Sequence, residues 1–477
     1  MFRFLRTFLL FAIVSFSMLW LGDRLSTQGM VLTRYMATGQ APLIGLFYPN
    51  DQRDAITVVM YDDEFLKDAN SAWPISYSDH AGWLLRLTED PDARPRALFL
   101  DITFGQQRDD PSLPELQEAL CTIRHERGIP VFLAGLHSRE DGRLHLRKDL
   151  EQTVAPDGAS CFELVGVRHT PDSVDNMTWN YPLTTYANGQ GWVSGTPPSP
   201  DMPAFRSAAM AMAQDVEGID LGEETSPLAL IWGATPPTIE HPPQLLRYCH
   251  GGKVEWTRAV PHVLRQVFGI SEQKPICPYH PTLSMAQVAS MDDASFGEYA
   301  RNRYLIVGAA VEGYNDMARS PVHGLIPGPY VHAMALDNLL AFKGEYKQNS
   351  EWDIPPSSEL FISGLAAIFA VFVVHEAFAA LRQRLFRRKH RQHWYGRDTS
   401  LGWRLLNAPA RVVVWLTRTA AQTVLAMILI VLLQMWFRIG MLPVIELVGM
   451  TILAEGLNYT EKLRTFFMGK TRRGTWE

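Results

Sequence analysis

The sequence predicts an α/β protein, a layered sheet with flanking helices, joined to α-helical segments that cross a membrane. Three observations predict it. Short β-rich runs alternate with helix-patterned stretches from residue 56 onward, four stretches of the chain are almost wholly apolar, and charge segregates around those stretches.

The apolar stretches set the frame. Residues 4–21 (FLRTFLLFAIVSFSMLWL), 360–381 (LFISGLAAIFAVFVVHEAFAAL) and the uncharged run 419–437 each approach the roughly 20 residues that a helix needs to cross a bilayer. After Arg438 follows 440–457, which carries Glu446 and Glu455. A charge at a helix centre costs on the order of 2.5–3.5 kcal/mol on insertion scales, so this span rests more on its context, the turn RIGMLP of a tight hairpin.

Basic residues orient the spans. Arg3 and Arg6 lie at the first span, Arg382, Arg384, Arg387, Arg388, Lys389 and Arg391 follow the second, and Lys462, Arg464, Lys470, Arg472 and Arg473 end the chain. The positive-inside rule places all three groups in the cytoplasm, which requires an even number of spans. The expected organisation is an anchor at 1–22, an extracytoplasmic domain at 23–358, a span at 359–381, a basic cytoplasmic loop at 382–411, a membrane hairpin at 412–457 and a basic cytoplasmic tail at 458–477. LGDRLSTQGM after Leu21 lacks a small-residue cleavage site, so the anchor is expected to be retained.

The 23–358 region holds 43 carboxylates against 26 lysines and arginines, a net charge of about −17. That disfavours nucleic acid as a partner. All four cysteines, Cys121, Cys161, Cys249 and Cys277, fall in this region, as a disulfide framework in an oxidising compartment predicts. The pairing of Cys121 with Cys161 and of Cys249 with Cys277 is preferred because it closes the shorter loops; four buried thiols are the alternative.

The elements follow in order. ITVVMY (56–61) is a buried strand, SYSDHAGWLLRLTED (76–90) a helix, ALFLDITF (97–104) a strand, LPELQEALCTIRHER (113–127) a helix and PVFLAGL (130–136) a strand. This alternation implies right-handed crossovers and a parallel sheet. CFELVGVRH, a loop at 186–203 and a helix FRSAAMAMAQDVEG follow, then the strand RYLIVGAA, a Gly-rich loop and the helix PYVHAMALDNLLAF.

Two strands end in acids. Asp62 and Asp63 close the first and Asp101 the second, so one reading is a shared acidic pocket at the carboxyl edge of the sheet, where α/β folds bind ligands. A divalent cation is the one cofactor such a set suggests, since hard cations take oxygen ligands. The other reading is helix capping and solvation. Asp316 in the Gly-rich loop is a candidate to join the set, and His332 is either a satisfied core residue or a ligand. Asn338 is expected to cap a turn. LDITFG lacks the second Asp of a D-x-D-x-T phosphatase. HEAFA at 375–379 lacks the second His of H-E-x-x-H. Within the spans, Glu376, Arg418, Glu446 and Glu455 are candidates for intramembrane pairing, with interface snorkelling as the alternative. The basic loop has the composition of an anionic-lipid contact.

In their order, the N-terminal anchor, the acid-ended strand followed by Trp73-Pro74, the FLDITF run around Asp101, and PGPYVHAMALDNLL at 327–340 resemble the CHASE2 family of bacterial extracytoplasmic sensor domains. The likeness covers roughly 40–345 and is loose in the middle, at NGQGWV and FRSAAMAMA. The resemblance implies an input domain that perceives an external stimulus and passes it across the membrane; with the topology above, the chain is expected to be a protein of the bacterial cytoplasmic membrane with both termini inside, and not an enzyme. Such domains are usually fused to an output domain; none is recognised in 382–411 or 458–477, so output to a separate membrane-embedded or cytoplasmic protein is expected. A homo-oligomer, a docking scaffold and a metal-dependent hydrolase using Asp62, Asp63 and Asp101 are the competing expectations.

Overall fold

The computed structural model describes residues 44–348, except 139, 223–225, 238–242, 244–245, 250–274 and 314–315, together with isolated positions outside that range. Residues 38–349 form one compact unit. Among the described residues no helix is long and apolar enough to cross a membrane. The four spans expected from sequence lie outside the described residues but for isolated positions, and so do Glu376, Arg418, Glu446 and Glu455.

The chain enters the fold through β1 (Ile56–Asp62), all seven residues of which are buried. Its β-branched and aromatic run suits a strand covered on both faces. The chain then turns into the short α1 (Asp63–Asp68) and α2 (Tyr77–Leu87), which Ser76 caps by accepting from the Asp79 N–H. β2 (Ala97–Leu100), α3 (Leu113–Cys121, extended by a wider π-type turn at Thr122–Glu126) and β3 (Val131–His137) follow. β4 (Leu144–His145), α4 (Lys148–Glu151), β5 (Glu163–Gly166) and β6 (Asn180–Tyr181) lead to the middle of the chain.

There the structure corrects the expected loop at 186–203. Its first half is hairpin, with β7 (Thr184–Asn188) paired to β8 (Gly191–Ser194) and, on its other side, to β9 (Ala204–Arg206). The glycines that suggest a loop serve as the turn. α5 (Ala208–Glu217) ends at Gly218, whose φ of +65° is a left-handed helix stop that favours glycine.

After β10 (Leu228–Ala229) come β11 (Thr282–Ser284), α6 (Met285–Ser290), α7 (Asp293–Ala300) and β12 (Tyr304–Ala310). The expected Gly-rich loop contains a second hairpin, β13 (Met317–Ser320) with β14 (Gly324–Pro327), before α8 (Pro329–Phe342).

The main sheet runs β11-β1-β12-β2-β3, continued by β5 and β4 on β3. Every pairing is parallel except β3 with β4. On one face Val59, Tyr61, Leu98, Leu100, Leu305 and Val307 pack with residues of α2, α3, α6 and α7 in one apolar cluster. On the other lie α5 and α8, which pack on each other. This is the α/β layering expected from the alternation of elements. The cysteines pair in the preferred way, Cys121 with Cys161 at a Cα separation of 4.5 Å and Cys249 with Cys277 at 4.9 Å.

Candidate functional site

The placement of β12 decides which carboxylates meet. It lies between β1 and β2, with Asp62 in register with Ala310. Two strand spacings, about 9.5 Å, therefore separate the backbones that carry Asp62 and Asp101.

Asp62 is buried and works locally. Its Oδ1 accepts from the Phe65 N–H at 3.0 Å, capping α1, and from the Ser284 hydroxyl at 2.7 Å. Burial raises its pKa, and the two hydrogen bonds pull the other way. Asp63 faces solvent and accepts from the Glu312 N–H at 3.2 Å. The capping reading thus describes Asp62, and Asp63 ties α1 to the loop after β12. Replacing Asp62 with Ala removes the cap and takes away the acceptor of the Ser284 hydroxyl proton; we expect a loss of about 1–2 kcal/mol in denaturant unfolding.

Asp101 meets a different set. Its backbone N–H donates to Val307 at 2.8 Å, which holds the residue at the carboxyl edge of β2 beside β12. Its side chain is 7% exposed, and its Oδ2 has no hydrogen-bond partner. Burial, and then the charge of Asp316, push its pKa well up. Asp316 follows β12, and its carboxylate presses on Gly328, where any Cβ would collide with it. The backbone closes the same contact, the Gly328 N–H donating to the Asp316 carbonyl at 2.9 Å. Burial raises the Asp316 carboxyl to about 6.

His332, on the first turn of α8, completes the group. Its Nδ1 is 2.7 Å from the Tyr181 hydroxyl, and its Nε2 is 3.5 Å from Asp101 Oδ2. The Phe99 and Tyr181 rings meet the imidazole edge-on at 5.3 and 5.5 Å. Burial, then the neighbouring His169, hold its pKa down near 3. With the imidazole neutral, its approach to Asp101 is not an ion pair.

Asp316 has a consequence for stability. A carboxyl that binds its proton more tightly folded than unfolded stabilises the fold at low pH and loses that contribution as pH rises through the folded value. The window runs from about pH 4 to about pH 6, and the full effect is about 3 kcal/mol. Asp316→Asn should raise Tm at pH 7.5 by several degrees, leave it unchanged at pH 4, and flatten the wild-type slope between them.

Among the described residues no group of three or more His, Cys, Asp or Glu is arranged to hold a metal ion. Sequence reading missed Tyr181, from the two-residue strand β6, and His169, from an irregular segment; neither carries a motif. It also missed a second buried group, in which Asp337, fully buried, accepts from Tyr48 at 2.6 Å and lies 3.1 Å from His280 Nε2. Asn338 does not cap a turn. Its side chain bonds both the N–H and the carbonyl of Ile231.

A family model, that of the CHASE2 domain, matches residues 7–374. No curated protein and no solved structure matches the chain. That match extends over most of the sequence and agrees with the α/β sheet and its buried carboxyl edge; the chain belongs to the CHASE2 family of extracytoplasmic sensory domains.

Proposed function

We propose that the chain is a multi-pass protein of the bacterial cytoplasmic membrane that perceives a stimulus at the Asp101–Asp316–His332 group and relays it to a separate output protein. The observation that carries this reading is the course of α8. The helix starts at the group and runs against the strand direction, so that Asp337, near its far end, bonds Tyr48 of the segment entering β1. The Tyr48 and Phe342 rings lie 5.8 Å apart. One packed helix thus links the acid pair to the edge where the chain enters and leaves the domain. A change of charge at Asp316 shifts the seat of the Gly328–Pro329 turn, and a rigid helix carries such a shift along its length. Family membership supports the sensory role, and the four apolar stretches support the membrane setting.

Thiol labelling tests the topology. In spheroplasts an impermeant maleimide should label Ser194→Cys, on the exposed end of β8, and should label Ser400→Cys only after lysis. Equal labelling of both before lysis would overturn the arrangement. Photocrosslinking from positions 382–411 tests the relay: a crosslinked product whose yield changes between pH 5 and 7.5 in wild type, and not in Asp316→Asn, is the expected result.

A further inference from the structure

The turn between β7 and β8 carries the chain's one Asn-Gly pair, Asn188 followed by Gly189. We infer that Asn188 is a modification site, where the side-chain amide is lost to water and the linkage to Gly189 becomes a mixture of aspartyl and isoaspartyl forms.

Such a change needs the backbone nitrogen of the next residue to reach the asparagine Cγ, and the turn provides for it. Asn188 pairs with Gly191 in the ladder, so Gly189 and Gln190 form a two-residue loop, and Asn188, Gly189 and Gln190 are all exposed. Beyond the chain neighbours, no heavy atom lies within 4 Å of the place where a Gly189 Cβ would stand. The Gly189 N–H donates to no group among the described residues. Asn188 Oδ1 accepts from the Gln190 N–H at 3.0 Å, which folds the amide back over the Gly189 peptide, as asparagine does in turns. The same N–H supports the negative charge that develops on Oδ1 when the amide is attacked.

Other exposed asparagines are held differently. The N–H after Asn70 donates to the Leu66 carbonyl at 2.9 Å, that after Asn302 to the Ala300 carbonyl at 3.1 Å, and that after Asn176 to Asp175 Oδ1 at 2.9 Å. A nitrogen so engaged must first break its bond. Each of the three also belongs to a residue with a side chain, which hinders the approach.

The steps balance with water alone. Hydroxide takes the Gly189 N–H proton, and the nitrogen's electron pair forms a bond to Asn188 Cγ. The oxyanion collapses, the bond from Cγ to the side-chain nitrogen breaks, and that nitrogen leaves as ammonia with a proton from water. Water then adds to one of the two carbonyls of the succinimide. Cleavage at Cγ restores the main chain with an aspartate; cleavage at the backbone carbonyl carbon leaves the main chain running through the side chain. Nothing is oxidised or reduced. Either product adds one negative charge to the hairpin, and the isoaspartyl form adds one carbon to the main chain where the short loop sets the register of β7 and β8. Trp192, opposite Ala187 in that register, packs on His137 with ring centroids 4.0 Å apart, so the altered register bears on that contact.

Incubation of the purified full-length chain at pH 8.5, followed by digestion at acidic pH and peptide mass analysis, tests this. Conversion at Asn188 should run about tenfold ahead of that at Asn70, Asn176 and Asn302. It should slow at pH 6 in step with hydroxide, and should yield the isoaspartyl peptide beside the aspartyl one. Gly189→Ala separates the site from general ageing of the chain. Gly189 is not among the glycines with positive φ and has open space for a methyl group, so the hairpin is kept, while a methyl group beside the attacking nitrogen should slow conversion about tenfold. Conversion at Asn188 no faster than at the other three asparagines, a product that is aspartate alone, or an undiminished rate in Gly189→Ala would overturn the inference.

Discussion

Asp337→Ala should cost about 3–5 kcal/mol, the largest loss from any single substitution considered. Asp337 is fully buried in α8 and holds two groups from distant parts of the chain, the Tyr48 hydroxyl at 2.6 Å and His280 Nε2 at 3.1 Å. Both partners are themselves buried. Removing the acceptor strands both inside the protein, and an unpartnered buried polar group costs about 1–3 kcal/mol. Neither can turn to water, because Tyr48 is boxed by Tyr279 and Phe342 and His280 packs edge-on to Tyr279. Asp337→Asn keeps a carbonyl to accept one of the two bonds and should cost about half as much. Urea unfolding of the three proteins checks the order; an Asn variant as damaged as the Ala variant would show that charge, not bonding capacity, matters there.

The second large effect is expected at the disulfides. Cys121–Cys161 and Cys249–Cys277 close loops of 40 and 28 residues, which in the chain-entropy account contribute about 3.9 and about 3.6 kcal/mol. Replacing both partners of one bridge by Ala should lower stability by about 3–4 kcal/mol in each case. The two losses should add, because no disulfide partner is shared. Cys121–Cys161 fastens the end of α3 to the segment before β5, both on the apolar cluster that includes Leu116 and Ile123, so its loss should also raise amide exchange in β5. Urea midpoints and exchange rates of the paired variants measure both effects.

Much of this fold was legible before any coordinates. The runs that became β1, β2, β3 and β12 are apolar because both of their faces are covered, and that composition survives without knowledge of neighbours. The cysteine pairing was legible too, because loop length is a property of sequence. What could not be read is the order of strands. Nothing in RYLIVGAA says that it slips between ITVVMY and ALFL, and that slip separates Asp62 from Asp101 and gives Asp101 to Asp316 instead. β11 is only three residues, TLS after a proline, too short to register as a strand. The β7–β8 hairpin was hidden for the opposite reason: NGQG makes a turn as readily as a loop. Tyr181 and His169 reach His332 only through tertiary packing, so no spacing rule finds them.

The meeting of Tyr48 with Phe342 has a practical side. A domain whose ends lie close together can be cut out of one host and set into another as a cassette, since the host need offer only two neighbouring attachment points and loses little chain entropy in accommodating it. Residues 38–349, the compact unit, are therefore the piece to graft into an exposed loop of a reporter protein, so that reshaping at the acid pair is read as a change in the host's fluorescence.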